Sequence, residues 1–403
     1  MLTFSAAREL VISQALQHRS PRPALSLPIS DALGHILDEE IRADREYPPF
    51  NRSTRDGFAV HSSEASAGAA LHCIGEIKAG DTVHQPLSPG TCVQIMTGAA
   101  LPPSADAVVM IEFTRRSGDS VTFERATQPG QNFVPAGSEA HAGDLALSPG
   151  LRLGFAELAA AAQVGRSELR CHPRPAVAIL STGDEVVPIV PTPGPFHIRN
   201  SNSVSLEAQV KLAGGAPSPL GNALDRVDDL SAKIELGLQA DILVLSGGVS
   251  MGKYDLVESV LKGMGAEFYF DAVAIRPGKP AVFGRCRDTL IFGLPGNPVS
   301  TMVTFHLFVI PAIDILSGAR PRPLPLLHAT LSTPLKEKPG LTHFLPAQLT
   351  WPTSQPQVHA LPWQGSGDIT AMTQANCFLM VPADRPDIVA GETVSVLPRT
   401  DVL

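Results

Sequence analysis

The chain has 403 residues, too many for one ordinary hydrophobic core, and is expected to divide into two to four domains. Hydrophobic residues make up 44% and charged residues 17%, which excludes an intrinsically disordered chain. The net charge of −8 excludes a surface built to attract nucleic acid, while leaving room for a local basic pocket.

The 37 prolines and 34 glycines call for many turns and short elements. Cysteines stand at 73, 92, 171, 286 and 377. With no C-x-x-C pair they read as reduced thiols. The first residues are polar and amphipathic, unlike a signal peptide, and no uninterrupted apolar stretch approaches the ~20 residues that span a bilayer. The expectation is a cytoplasmic protein with no membrane or nucleic-acid partner.

In chain order, Phe4, Ala7, Leu10, Val11, Ala15 and Leu16 repeat at helical spacing. A second short helix is expected after Ser30-Asp31, carrying Ala32, Leu33, Ile36 and Leu37. From Pro48 to Gly150, short β-type runs alternate with Gly/Pro/Asp turns, predicting a small β-rich domain. An Ala-rich helix covers Gly154 to Gln163, and the prolines of Arg170–Pro175 mark a boundary.

Residues 176–320 then alternate as strand and helix in the α/β manner. Strands are predicted at Ala176–Leu180, Asp241–Leu245, Ala281–Phe283 and Leu290–Phe292. Helices are predicted over Asn202–Ala213, with Val204, Leu206, Val210 and Leu212 on the apolar side, over Asp255–Met264, and over Val299–Leu316. The prolines of 321–325 lead into short alternating segments that read as a C-terminal β-barrel or sandwich.

Four loops in the α/β region carry possible chemistry. Ser246-Gly247-Gly248-Val249-Ser250 follows a strand, where two glycines let backbone N–H groups approach an anion and Asp255 follows. The same sequence also serves as an unliganded tight turn. Ser181-Thr182-Gly183-Asp184-Glu185 offers hydroxyls and carboxylates suited to Mg²⁺, or simply a helix cap. Arg276-Pro277-Gly278-Lys279-Pro280 holds two cations on a stiff loop, for an anion or simply for solvent, and Leu294-Pro295-Gly296-Asn297-Pro298 opens a helix whose N-terminus favours an anion, or serves only as a rigid strand-to-helix turn. In the β-rich region, Asp56-Gly57 is ordinarily a turn, and Thr97 is a candidate hydroxyl ligand. His306, inside an apolar helix, reads as a core or interface residue. There is no G-x-S-x-G, H-E-x-x-H or Walker A pattern.

The phrases PPFNRSTRDGFAV, VQIMTGAALPPSADAVVMIE, AILSTGDEVV, NSNSVSL, DILVLSGGVSMGKYD, IRPGKPAVFG, LPGNPVS and QGSGDITAMTQAN, in this order, resemble the MoeA family of molybdopterin molybdenumtransferases, to which the gephyrin E domain also belongs. The resemblance runs from about Ala6 to Pro398. It implies a multidomain α/β plus β fold: an elongated subunit with a discontinuous helical linker part (1–45 and 140–172), an inserted β-rich domain (46–139), a molybdopterin-binding three-layer α/β domain (173–322) and a C-terminal β-barrel (323–403).

The implied activity is Mg²⁺-dependent insertion of molybdate into adenylylated molybdopterin with release of AMP, by a homodimer. A molybdopterin adenylyltransferase and molybdoenzymes are candidate contacts. By the resemblance, Ser181, Thr182, Gly183, Asp184, Ser246, Gly247, Gly248 and Ser250 form the pterin–phosphate pocket. Pro295, Gly296, Asn297 and Pro298 shape the oxyanion side, and Ser366 contributes from the C-terminal domain. Glu185, Asp255 and Asp225 organise Mg²⁺, Arg276 and Lys279 neutralise anions, and Asp56 and Thr97 complete the site across the dimer.

The chain departs from the family pattern at Asn51, Arg52 and Arg55, whose two arginines add positive charge beside Asp56, and at Ala272, Arg276 and Gly137-Ser138-Glu139. Two other readings stay open: a molybdopterin-binding scaffold or altered-specificity paralogue without this turnover, and a molybdopterin adenylyltransferase.

Overall fold

The computed structural model describes residues 1–83, 85–190, 192–248, 256–352, 354–399 and 401–402. At its centre Ala216–Ala223, Ala176–Thr182, Ile242–Ser246 and Thr289–Leu294 lie side by side as parallel strands. Val282–Cys286 and Glu267–Phe270 complete a six-stranded sheet in antiparallel pairing. Alternation along the strands feeds two cores, because successive side chains leave opposite faces. Val177, Ile179, Ile242 and Val244 point into one, with Leu206, Val210 and the helix from Pro298. Ala178, Leu180, Leu243 and Leu245 point into the other, with Leu230, Ile234 and Val257. The result is a three-layer α/β unit.

Register places the functional loops. Ser181 stands opposite Ser246, Ser246 opposite Leu294, and Thr182 opposite Ala223. Four chain segments therefore leave the sheet at one edge, the carboxyl edge where open α/β sheets bind ligands.

The helices show where local patterning was insufficient. Phe4–Gln17 forms as expected and packs Ala7, Val11 and Ala15 into the α/β core, leaving Leu16 exposed. Ser201–Ala213 buries Leu206 and Val210 together with Ser203 and Ala213, while Val204 and Leu212, expected on its apolar side, face solvent. No α-helix follows Asp31. There Ile29–Asp31 makes a single 3₁₀ turn, Leu33 is exposed, and Ile36 and Leu37 bridge to Arg152 and Cys171. Long-range pairing overrides the helical spacing. Cys171, in the expected boundary, belongs to a strand Glu168–Cys171 paired with Leu25–Pro28.

The helix begun at Pro298 runs to Leu316 with a π turn at Phe305–Val309, where the Ile310 N–H donates to the Phe305 carbonyl. Pro311 lacks an N–H and its ring crowds the carbonyl four residues back, which accounts for the wider turn. Among the described residues it is the one helix long and apolar enough to cross a membrane. Most of it is buried against the sheet, and Asp314, with 5% of its side chain exposed, is held there by Arg152 and Arg322.

The β-rich part is a six-stranded sheet with a core on each face. Gly57 starts its strand Gly57–Val60, and a Cβ there would lie 1.9 Å from the Val109 carbonyl oxygen. Close strand approach, rather than a turn, requires that glycine. A separate core joins Ala32, Leu37, Ile41 and Tyr47 to Leu147, Leu153, Ala161 and Leu169, so two distant chain segments share one interior.

In the C-terminal region, Leu327–Leu331, Thr342–Thr350, Gln357–Ala360, Cys377–Val381 and Thr393–Pro398 pair in a closed five-stranded barrel. Ile275–Arg276 adds to it alongside Thr342 and His343, tying the proline–lysine loop to the barrel. The accessible surface is 19466 Å², against about 15,000 Å² for a compact globule of this mass. The chain is a multidomain, extended α/β and β protein.

Candidate functional site

At the carboxyl edge of the α/β sheet lies a cleft of about 610 Å³. Ser181, Thr182 and Glu185 line it from the first strand end, Ser246, Gly247 and Gly248 from the second, and Pro295–Pro298 from the third. Pro280 enters from the proline–lysine loop, and Gly367, next to Ser366, from the C-terminal region.

These turns are tied together by polar side chains. The Gly247 N–H donates to the Leu294 carbonyl at 3.2 Å. Asn202 Nδ2 donates to Ser246 Oγ and to the Gly296 carbonyl, both at 2.8 Å. Ser181 Oγ donates to Asn200 Oδ1 at 3.0 Å, and the same oxygen accepts the Ser203 N–H at 3.1 Å, capping the helix Ser201–Ala213. Asn297 Nδ2 donates to Ser366 Oγ at 2.8 Å, and the Val299 N–H donates to the Ser366 carbonyl at 2.9 Å. Ser366 thus docks the C-terminal region onto the LPGNP turn.

Two helices, Ser201–Ala213 and the one from Pro298, begin at this cleft, so the positive ends of two helix dipoles face it. Gly248 has φ 59°, and a Cβ there would lie 2.5 Å from Thr182 Oγ1. That hydroxyl is buried without a hydrogen-bond partner among the described residues. Bare backbone, unused hydroxyl and helix N-termini together suit a phosphorylated ligand.

Other expected residues lie elsewhere. Asp184 turns away from the cleft, where its Oδ1 accepts the Asp225 N–H at 3.0 Å. Burial, then the nearby Asp184 and Glu185 charges, push the Asp225 carboxyl above its ordinary range. Gly183 is buried at the turn, at φ 124°. Arg276 and Lys279 are exposed, make no ion pair among the described residues and do not line the cleft, although their loop reaches it through Pro280. Ser250 and Asp255 lie outside the described residues. Among the described residues no three His, Cys, Asp or Glu side chains are arranged to hold a metal ion by themselves.

Asp56 and Thr97 sit in the β-rich sheet, away from this cleft, as an exposed pair. Asp56 Oδ1 accepts the Thr97 N–H at 2.7 Å and the Thr97 hydroxyl at 2.8 Å, which hold its carboxyl below the ordinary aspartate range. Two of the neighbouring sequence departures pair with each other, Arg52 reaching Glu139 at 3.1 Å, while Asn51 Oδ1 accepts the Ala136 N–H at 2.9 Å. The Arg52 charge is therefore compensated by Glu139.

Asn200 and Asn202 lie in the NSNSVSL phrase but were not expected as site residues, yet they hold the first, second and third turns together. Their signal was two asparagines flanking a helix start, which by itself says only N-cap.

Comparison with known proteins fits this geometry. The MoeA N-terminal region (domains I and II) matches residues 2–165, a probable molybdopterin-binding domain 178–314, and the MoeA C-terminal region (domain IV) 328–398. The molybdopterin molybdenumtransferase of Staphylococcus aureus strain Mu50 is 31% identical over 395 residues, 96% of this chain and 94% of that protein. The chain belongs to the MoeA family. The enzyme of the same name from Staphylococcus epidermidis is 31% identical over 382 residues, 93% of this chain and 90% of its own.

A crystal structure of a molybdopterin biosynthesis MoeA protein from Pyrococcus horikoshii superposes with TM-score 0.75 at 30% identity, covering 99% of both chains. A second such structure, at TM-score 0.80 and 24% identity over 99% of this chain and 100% of its own, shares the fold. This MoeA protein is an enzyme of molybdenum cofactor biosynthesis.

Proposed function

We propose that the cleft holds adenylylated molybdopterin and that the enzyme inserts molybdate into it with release of AMP. The observation that supports this most is the convergence of STGDE, SGG and LPGNP on one cleft faced by two helix N-termini. Pterin dithiolate, pyrophosphate and molybdate are all anionic. Two unit charges 4 Å apart repel by about 4 kcal/mol at an effective dielectric near 20, so the protein must supply fixed positive potential. The helix ends at Asn200 and Asn297, with the bare backbone at Gly248, supply it without reorganising. Thr182 Oγ1, without a partner among the described residues, offers a hydroxyl beside the glycine pair.

The donor set fits Mg²⁺, an ion that takes one or two carboxylates and completes its shell with water and phosphate oxygens. Glu185 is the carboxylate in the cleft, with Asp225 behind it and Asp255 following the glycine turn in sequence. Bound there, Mg²⁺ supplies charge neutralisation to the phosphate oxygens. Arg276 and Lys279 are assigned the neutralisation of incoming anions; the support is that they are exposed, free of ion pairs among the described residues, and on the loop that reaches the cleft through Pro280.

The same reading makes the protein a cytoplasmic homodimer in which the exposed Asp56–Thr97 pair of one subunit completes the cleft of the other. Its support is that the pair is absent from the cleft of its own subunit. AMP release from adenylylated molybdopterin, measured with molybdate and Mg²⁺, tests the proposal. Stimulation by both ions, lost in Glu185→Gln, is expected. Tight pterin binding without AMP release overturns it in favour of a scaffold, and ATP consumption with metal-free molybdopterin in favour of an adenylyltransferase.

A further inference from the structure

A second cavity, of about 360 Å³, lies between the helix Ser201–Ala213, the helix from Pro298 and the C-terminal region. This volume is within the usual range for small-molecule pockets. It is separate from the cleft: the two helices that present their N-termini to the cleft present Gln209 and Leu212, and His306 and Ile310, to this cavity. Its apolar wall is formed by Met302, Ile310, Leu324, Met372 and Phe378.

The charges around it do not balance. Arg322 is paired with Asp314 at 2.9 Å. Arg399 is paired with Asp401 at 2.6 Å and donates to the Met372 and Ala375 carbonyls. Arg8 makes no ion pair among the described residues. Its one hydrogen bond there is to the Arg322 carbonyl, at 2.9 Å, and its Nε is buried without a partner. Burial and the neighbouring Arg322 charge hold its guanidinium below the ordinary arginine range, against the opposing pull of Asp314. A half-buried cation with an unused, buried donor is stabilised when an anion meets it. At the other end His306, stacked edge-on with Phe378, is kept neutral by burial, so the wall there carries no second surplus charge.

We propose that this cavity is a binding site for a small amphipathic carboxylate, with its carboxylate on Arg8 and its apolar body against Met302, Ile310, Met372 and Phe378. The charge rules out a neutral lipid as the preferred ligand, and the apolar wall rules out a free inorganic anion. The site does not depend on the chemistry proposed for the cleft.

Calorimetric titration of the full-length protein with octanoate, octanol and octylamine tests it. Saturable octanoate binding is expected, with octanol at least tenfold weaker and octylamine not bound. Arg8→Gln should weaken octanoate at least tenfold while leaving octanol unchanged. Ala208→Trp, an exposed position on the cavity wall, should block both ligands and leave AMP release intact. The proposal is overturned by absent or non-saturable octanoate binding, by equal binding of the three probes, or by octanoate binding that neither variant alters. If a second copy of the chain covers the cavity, octanoate will not bind and Ala208→Trp will change the sedimentation coefficient, which also overturns it.

Discussion

Asn202 Nδ2 lies 2.8 Å from Ser246 Oγ, and the same amide also reaches the Gly296 carbonyl. One side chain thus sets the spacing between the glycine turn and the LPGNP turn. Asn202→Ala should cost about 1 kcal/mol of stability, the ordinary worth of such hydrogen bonds, and read out as a small drop in Tm. Activity should fall further, at least tenfold in kcat/KM for the pterin substrate, because the two walls of the cleft lose their register. Equal losses in stability and activity would refute the positioning role.

The glycine pair should be intolerant for two different reasons. A Cβ on Gly247 would meet the Thr182 carbonyl oxygen at 2.8 Å, whereas one on Gly248 would meet Thr182 Oγ1 at 2.5 Å. Both glycines have positive φ, so each alanine variant should lose about 1–3 kcal/mol. Adding Thr182→Ala should recover more of the Gly248→Ala loss than of the Gly247→Ala loss, since the tightest clash at Gly247 is with a backbone oxygen that no substitution removes. Urea melts of the double-mutant cycle check this.

Asp56 carries a pH signature. Its folded carboxyl is held below the ordinary value of 3.8 by the Thr97 N–H, then by the Thr97 hydroxyl. The sign follows: the stabilisation is fully present above that ordinary value and is lost as pH falls through the depressed one. Thr97→Val removes the hydroxyl and keeps the N–H, so the Asp56 carboxyl should rise part of the way in a carboxyl-detected NMR titration. An unchanged titration would show that the hydroxyl bond contributes nothing.

Mixing two inactive variants tests the proposed homodimer and its shared site. Asp56→Asn and Glu185→Gln dimers, dissociated and reassociated together, should regain about a quarter of wild-type AMP release, because half of the dimers are mixed and one of their two sites is whole. No recovery, with mixed dimers isolated through different affinity tags on the two variants, would place both residues in one subunit's site.

Arg152 joins the linker core to the long helix. Its Nη2 lies 2.6 Å from Asp314 Oδ1, and its Nη1 donates to the Gly34 carbonyl at 2.8 Å. Arg152→Ala leaves a nearly buried carboxylate with Arg322 alone and should cost about 3 kcal/mol. Thermal unfolding should show a lowered Tm with the cleft's ligand affinity preserved.

Alternation and turn chemistry along the chain determined the α/β unit, the β-rich region, the C-terminal strands and the loops that carry polar groups, because those signals are local. Val177 and Ile179 against Ala178 and Leu180 already specify a sheet buried on both faces. What lies at 32–37 was decided by pairing with residues 152 and 171, more than a hundred positions away, which no local periodicity encodes. The buried face of Ser201–Ala213 was likewise decided by its neighbours, since a weakly amphipathic helix can turn either side inward. That three turns form one cleft while Asp56 and Thr97 stand apart from it is a property of parallel register and domain placement. A chain read one residue at a time contains the parts of a phosphate cradle, but only close packing of distant strands fixes which of those parts meet.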